Sequence, residues 1–240
     1  MSKFNYFLFL MSVVLLGSVN AYAEDEDKVE GEIKADFVSQ YVWRGQDLGD
    51  VSVQPTLGIS WKGLSLSAWG NVGISNSEDT KEFDLTLAYT IGGFNVGITD
   101  YWFNTPNPKY FAYKSSDTSH VFEANVGYDF GPVSINWFTN FAGNDGVNNK
   151  GKRAYSSYFE IAAPFKLGKL SWCATLGACP YATSFYAEAH RFAIINASLS
   201  ASYDIKITDS FAIPIFASIN TNPSTQKAAF VVGFTLQPWQ

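Results

Sequence analysis

Residues 59–75 read ISWKGLSLSAWGNVGIS. Every second residue is apolar, and the apolar parity flips at Lys62-Gly63. It is odd before the flip (Leu57, Ile59, Trp61) and even after it (Leu64, Leu66, Ala68, Val72, Ile74). A two-residue hairpin turn explains this. It sets Trp61 opposite Leu64, so the numbers change parity while the face does not. The stretch therefore predicts one antiparallel ribbon, apolar on one side. The other side carries Ser60, Ser65, Ser67, Trp69, Asn71 and Gly73.

The same period of two runs along the chain and predicts about twelve strands. The first is expected at about 31–44, with Ile33, Ala35, Phe37, Tyr41 and Trp43 on its apolar face and Glu32, Lys34, Asp36, Gln40 and Arg44 on the other. Later strands repeat the pattern, as in Phe83, Leu85, Leu87, Tyr89 and Ile91, or Phe230, Val232, Phe234 and Leu236. Connections alternate in length. Tight ones fall at 61–63, 92–93, 131–132, 167–169 and 207–209. Long polar ones fall at 44–51, 75–81, 103–119, 143–154, 179–191 and 220–226. An even strand count with short turns on one rim and long loops on the other is the outer-membrane pattern. The expected fold is all-β: a transmembrane, antiparallel, up-and-down barrel of about twelve strands, with short periplasmic turns and longer extracellular loops.

Composition narrows the choice. Charged residues make up 16% of the chain, against about 25% in an ordinary soluble domain. Aromatic residues make up 17%. No stretch after the leader has the ~18 apolar residues of a spanning helix, so a membrane location requires a barrel. A soluble barrel or sandwich would alternate in the same way with its apolar face inward. Against that stand a polar face of Ser, Thr, Asn and Gly with few Lys, and strand lengths suited to a tilted membrane strand. Aromatic residues also end the apolar rows like interfacial girdles: Trp43, Trp61, Tyr89, Phe130, Trp172 and Tyr203. The net charge of −6 argues against nucleic acid.

Three segments are expected. Residues 1–23 read as a cleaved signal peptide, with Lys3, an apolar core and the small-x-small site Ala21-Tyr22-Ala23. Residues 24–30 read as an acidic tail, and 31–240 as the outer-membrane barrel domain.

The inward face holds few charges. The pore-lining candidates are Lys34, Asp36, Arg44, Asp84, Glu123 and Glu160, with Arg44, Asp84 and Glu123 toward the long-loop end and Glu160 near the middle. They have two readings. One is a charged constriction with a cationic bias, because acids outnumber bases. The other is a set of ion pairs bracing a packed interior. Trp69, Phe138, Tyr158 and Phe216 also point inward, which predicts a narrow, partly obstructed lumen.

The segment SQYVWRG at 39–45, followed by SAWGNVG at 67–73, resembles the N-terminal pattern of the TorF-like family of porin-type outer-membrane barrels. The resemblance is strongest over about residues 35–75. It implies a porin and brings no catalytic or binding residues with it. The chain ends Pro238-Trp239-Gln240, which places the terminal aromatic one position earlier than such barrels usually do.

Enzyme readings rank second. His120 and His190 are the two histidines. His120 and Glu123 lie three apart, on opposite faces of a strand. No G-x-S-x-G motif occurs, and the histidines and cysteines are too few for a metal cluster. Cys173 and Cys179 would lie about 20 Å apart on a straight strand, and a bend at Gly177 or Pro180 would let them pair. Asp100 falls on the apolar parity, either at a rim or turned inward by a bulge. Aromatic loop residues (Tyr110, Phe111, Tyr113; Tyr181, Phe185, Tyr186) either fold into the mouth, bind an external sugar or protein, or pack on each other above the barrel. The expected function is a narrow passive porin in the cell outer membrane, for small polar or cationic solutes. The expected state is monomeric, with no cofactor. The expected partners are outer-membrane lipids, small solutes and the barrel-assembly machinery. The alternatives are a closed structural or adhesive barrel and an outer-membrane lipid hydrolase.

Overall fold

The computed structural model describes residues 28–76, 78–114, 117–186, 189–208 and 211–238. The expected signal peptide, residues 24–27 of the acidic tail, Asp209 and the terminal Trp239-Gln240 lie outside them.

The strands are β1 (Glu30–Val38), β2 (Tyr41–Trp43), β3 (Gln46–Gly49), β4 (Ser52–Trp61), β5 (Leu64–Gly73), β6 (Glu82–Ile91) and β7 (Phe94–Phe103). They continue as β8 (His120–Asp129), β9 (Ser134–Gly143), β10 (Ser157–Leu167), β11 (Leu170–Cys179), β12 (Ala193–Thr208), β13 (Phe211–Asn222) and β14 (Lys227–Leu236). β1 and β4 to β14 form one closed, antiparallel, twelve-stranded barrel in which sequence neighbours are spatial neighbours. β1 closes it by pairing with β4 on one side and β14 on the other. Among the described residues no helix is long and apolar enough to cross a membrane.

The quoted ribbon is β4–β5. Trp61 pairs with Leu64 and Ile59 with Leu66, as the parity flip requires. Lys62 and Gly63 both take positive φ, 50° and 82°, the conformation of a type I′ turn. The apolar rows face out and the polar rows face in. On β5, Leu66 is 51% exposed and Ser67 9%. On β6, Phe83, Leu85, Leu87 and Tyr89 are exposed, while Glu82, Asp84, Thr86 and Ala88 are buried. This inverts the usual soluble arrangement, in which polar groups face water and apolar ones the core.

The first strand departs from expectation. It was expected to run to residue 44, and it stops at Val38. Ser39 ends the ladder by bonding Val232 twice, through its backbone N–H to the Val232 carbonyl and through its Oγ, which accepts from the Val232 N–H. The chain then turns at Ser39-Gln40 and forms a small hairpin, β2–β3, as a separate two-stranded sheet. Trp43 pairs with Gln46 across Arg44-Gly45. Tyr41 and Trp43 keep the parity of the outward row but are 1% and 2% exposed, so Trp43 is no girdle residue. The other aromatics named for that girdle lie on the barrel wall, with Trp61, Tyr89, Phe130 and Tyr203 exposed.

Asp100 does point outward. The β7–β8 register runs through Asp100 opposite Phe122 without a bulge. It is paired with His120, Nδ1 to Oδ1 at 2.7 Å. Tyr110 and Tyr113, in the segment after β7, fold over this part of the wall. Tyr110 packs on Phe83, Trp102 and His120, and Tyr113 stacks on His120 at 4.3 Å. Burial, then neighbouring Tyr113 and Asp100, push the Tyr110 hydroxyl up to about 12. It therefore stays protonated at any pH the barrel would meet. Cys173 and Cys179 are both free thiols.

Candidate functional site

The β2–β3 hairpin fills the lumen near the long-loop rim. Tyr41, Trp43, Trp69, Tyr101, Val121, Phe138, Tyr158, Cys179, Tyr186, Ala189 and Ile195 form one buried cluster. Its members come from the hairpin, from the inward rows of β5 and β7 to β12, and from the loop after β11. Tyr41 packs on Trp69, and Trp43 on Tyr101, Phe185 and Tyr186. Toward the short-turn rim the packing loosens. There Ser60, Ser65, Thr90, Ser171 and Ser200 are only half-buried. The lumen is thus a polar vestibule closed at one end by an aromatic plug.

Arg44 sits at the tip of the plug, 2% exposed. It occupies the first central position of the β2–β3 turn, at φ 48°, with Gly45 at φ 74°. Such turns favour Asn, Asp or Gly, and an arginine there carries backbone strain. Glu123 on β8 holds its guanidinium bidentately: Nη1 donates to Oε2 at 2.6 Å and Nη2 to Oε1 at 3.0 Å. The hydroxyls of Tyr101 and Tyr186 donate to the same carboxylate at 2.9 and 2.7 Å. Nη1 also donates to the Tyr186 oxygen at 2.5 Å. Four aromatic rings surround the guanidinium carbon: Phe138 at 4.1 Å, Trp43 at 4.6 Å, Tyr158 at 4.7 Å and Tyr186 at 5.4 Å. A buried charge needs this degree of pairing to be tolerable.

The other inward candidates lie in three places. Glu82, two residues before Asp84 and outside the candidate set, accepts from the Tyr41 hydroxyl at 2.7 Å, and Asp84 lies against it. Glu160 accepts from the Tyr158 hydroxyl at 2.7 Å, and Asn196 donates to that hydroxyl at 3.0 Å. Tyr158 therefore links Glu160 to the Arg44 cage. Lys34 and Asp36 stand apart, nearer the other rim. Lys34 pairs with Glu32 at 2.9 Å, and Asp36 accepts from Thr235. The structure thus brings Arg44, Glu123 and, through Tyr158, Glu160 together, and leaves Lys34 and Asp36 outside the plug. Arg44 and Glu123 form an ion pair inside the packed interior, an arrangement compatible with a charged constriction as well.

Two glycines make the seating possible. At Gly45 a Cβ would fall 1.8 Å from the Ile195 carbonyl oxygen on β12. At Gly177 a Cβ would fall 1.9 Å from the Tyr158 hydroxyl. Asn222 further ties the hairpin by donating to the Gly45 carbonyl at 3.1 Å, and Asp79 accepts from the Asp50 N–H at 2.9 Å. Gly45→Ala is therefore expected to unseat the plug. A shift of about 1–3 kcal/mol in that equilibrium raises the exposed fraction roughly five- to 150-fold. Trypsin cleavage after Arg44 reads it: the seated arginine is protected, and the variant is expected to be cut faster by that factor.

The inward candidate set lacks Tyr186, named only among the loop aromatics with folding into the mouth as one of their readings, and neither the hairpin nor the His120–Asp100 pair is expected from the sequence. The one local signal for the hairpin is Arg44-Gly45 itself, a two-residue turn after the alternation of Tyr41 and Trp43.

No protein-family profile and no curated protein matches the chain. Among solved structures it is similar to the NanC porin at 11% identity and TM-score 0.45, covering 88% of this chain and 100% of that one. It is also similar to OmpF of Salmonella typhi, solved with daunomycin, at 10% identity and TM-score 0.38, covering 89% and 98%. An outer-membrane channel from Pseudomonas putida F1 gives 11% identity and TM-score 0.36, covering 88% and 96%. At these values the function has to be argued from this barrel's own surfaces.

Proposed function

We propose that the chain is an outer-membrane barrel acting as a porin-like passive channel of low conductance, with the β2–β3 hairpin as its constriction. The observation that carries this is the inversion of the barrel. Large apolar side chains cover the outside, and Ser, Thr, Asn and acidic residues line the inside. An apolar exterior of that extent is stable only in hydrocarbon or against a partner. A closed barrel has no unpaired edge to bring in a partner strand. Lipid is the occupant that fits a surface running round the whole circumference.

The interior supports passage of small polar solutes. Toward the short-turn rim Ser60, Ser65, Thr90 and Ser171 keep the lumen face polar and only half-buried, a surface that a hydrated solute can follow. Acids outnumber bases along the lumen, which favours cations. Monomeric state, the signal peptide and the assembly machinery belong to this proposal as well.

The packed cluster around Trp43 favours a second reading, a closed structural barrel. Lipid hydrolysis fits less well. His120 faces the outer wall and Glu123 the lumen. Both His120 ring nitrogens are engaged, Nδ1 with Asp100 and Nε2 with the Tyr110 carbonyl at 2.5 Å. That leaves no ring nitrogen to activate a nucleophile.

Planar-bilayer recording of purified protein tests the proposal. Small, ohmic, cation-preferring steps are expected, with the preference reduced by Glu160→Gln. Silence from the wild-type protein and from a variant lacking the hairpin would favour the closed barrel.

A further inference from the structure

Arg44 is held in the manner of a bound ligand. Its guanidinium is ringed by four aromatic faces at 4.1–5.4 Å and forked onto one carboxylate. Of those groups only Trp43 travels with the hairpin. Phe138, Tyr158 and Glu123 belong to the barrel wall, on β9, β10 and β8, and Tyr186 to the loop after β11. Each wall group has its own support. Tyr158 is fixed by Asn196 and Glu160 and fits over the bare backbone of Gly177. Glu123 is fixed by Tyr101 and Tyr186. These supports do not involve Arg44, so Tyr158 and Glu123 keep them when it leaves.

We propose that this cage is a binding site for guanidinium-type organic cations, which the chain's own Arg44 occupies as a tethered ligand. The proposal deepens the channel reading and rests on it for the route by which a free cation reaches the cage. The aromatic faces select an organic cation over sodium, because the attraction needs a weakly hydrated charge over the rings. The forked carboxylate selects a planar guanidinium over a quaternary ammonium, because only the former donates two parallel N–H bonds. The strained left-handed backbone at Arg44 weakens the hold of the tethered ligand. A short tether gives it an effective concentration of about millimolar order, so free cations at that level compete with it. A solute that binds would displace the plug and meet the polar vestibule beyond it.

Isothermal titration of the folded protein in detergent micelles tests this, with methylguanidinium chloride as the probe and sodium chloride at equal ionic strength as the control. Arg44→Ala is expected to bind methylguanidinium saturably, at one ion per barrel and at least tenfold more tightly than the wild type. Adding Glu123→Gln is expected to weaken that binding at least tenfold, and tetramethylammonium to bind more weakly than methylguanidinium. If Arg44→Ala does not fold, the variant with residues 39–51 replaced by a short turn removes Arg44 together with Trp43, leaves Phe138, Tyr158, Tyr186 and Glu123 in place, and is held to the same result. A folded, vacated barrel that takes up no more methylguanidinium than sodium overturns the proposal, as does binding indifferent to Glu123→Gln. The measurement needs no conduction. Saturable binding by a barrel silent in bilayers would defeat the channel reading alone, and a conducting barrel with no binding would defeat the site alone.

Discussion

Replacing residues 39–51 by an Asn-Gly turn is expected to raise single-channel conductance about tenfold, since twelve strands enclose an opening between a filled barrel and a wide pore once nothing is packed inside. The splice is sterically simple, because Val38 and Ser52 are already paired across β1 and β4. The wall stays closed, because β1 keeps its pairings with both β4 and β14. What leaves is the plug: Tyr41 and Trp43 with their ring contacts on Trp69 and Tyr101, and Arg44 out of its contacts with Glu123. Planar-bilayer recording of both proteins under one salt condition makes the comparison. Equal conductance in the two would mean that the hairpin is not the constriction.

Removing Arg44 alone is expected to be far more damaging than its replacement together with Glu123. Arg44→Met leaves the Glu123 carboxylate buried without its cation, a loss of about 3–5 kcal/mol. Glu123→Leu leaves the guanidinium in the same position, at a similar cost. The double variant fills the site with apolar side chains and is expected to recover to within about 1–2 kcal/mol of the wild type, because a buried ion pair is seldom better than a packed apolar substitute. Urea unfolding in micelles, followed by tryptophan fluorescence, gives the four values. Additive losses in the double variant, or single losses below about 1 kcal/mol as at solvent-exposed pairs, would show that the pair is not desolvated.

The barrel was legible in the sequence because its information is local. A strand with one face in each medium repeats every two residues, and Lys62-Gly63 announces its turn by a parity change. The same locality hid the hairpin. Tyr41 and Trp43 continue the odd-numbered row of Ile33, Ala35 and Phe37, so nothing in the alternation marks Val38 as an end. What ends the strand is Ser39 binding Val232, a contact nearly the full chain length away. Asp84, Glu123 and Glu160 are buried inside the barrel, and their partners could not be read from the alternation, because which groups meet across a lumen depends on register and barrel closure. Arg44 meets Glu123 through a turn rather than along a strand. Asp100 looked out of place on an apolar row until the β7–β8 register set it diagonally beside His120 on the same outer face. Tyr186 reaches the cage from a loop whose sequence carries no periodic signal, and only its aromatic content hinted that it would bury itself.

Spin labels placed singly along β6 test most directly whether lipid bathes the outside of this barrel. Leu85→Cys, Thr86→Cys, Leu87→Cys and Ala88→Cys, in a background with Cys173 and Cys179 replaced by Ala, place alternate labels on the two faces. After reconstitution in bilayers, labels at 85 and 87 are expected to collide with dissolved oxygen and to be shielded from a water-soluble nickel chelate. Labels at 86 and 88 are expected to be shielded from oxygen. Chelate contact at 85 and 87 equal to that of a label in bulk water, with folded protein recovered from buffer free of detergent, would contradict a hydrocarbon-facing exterior.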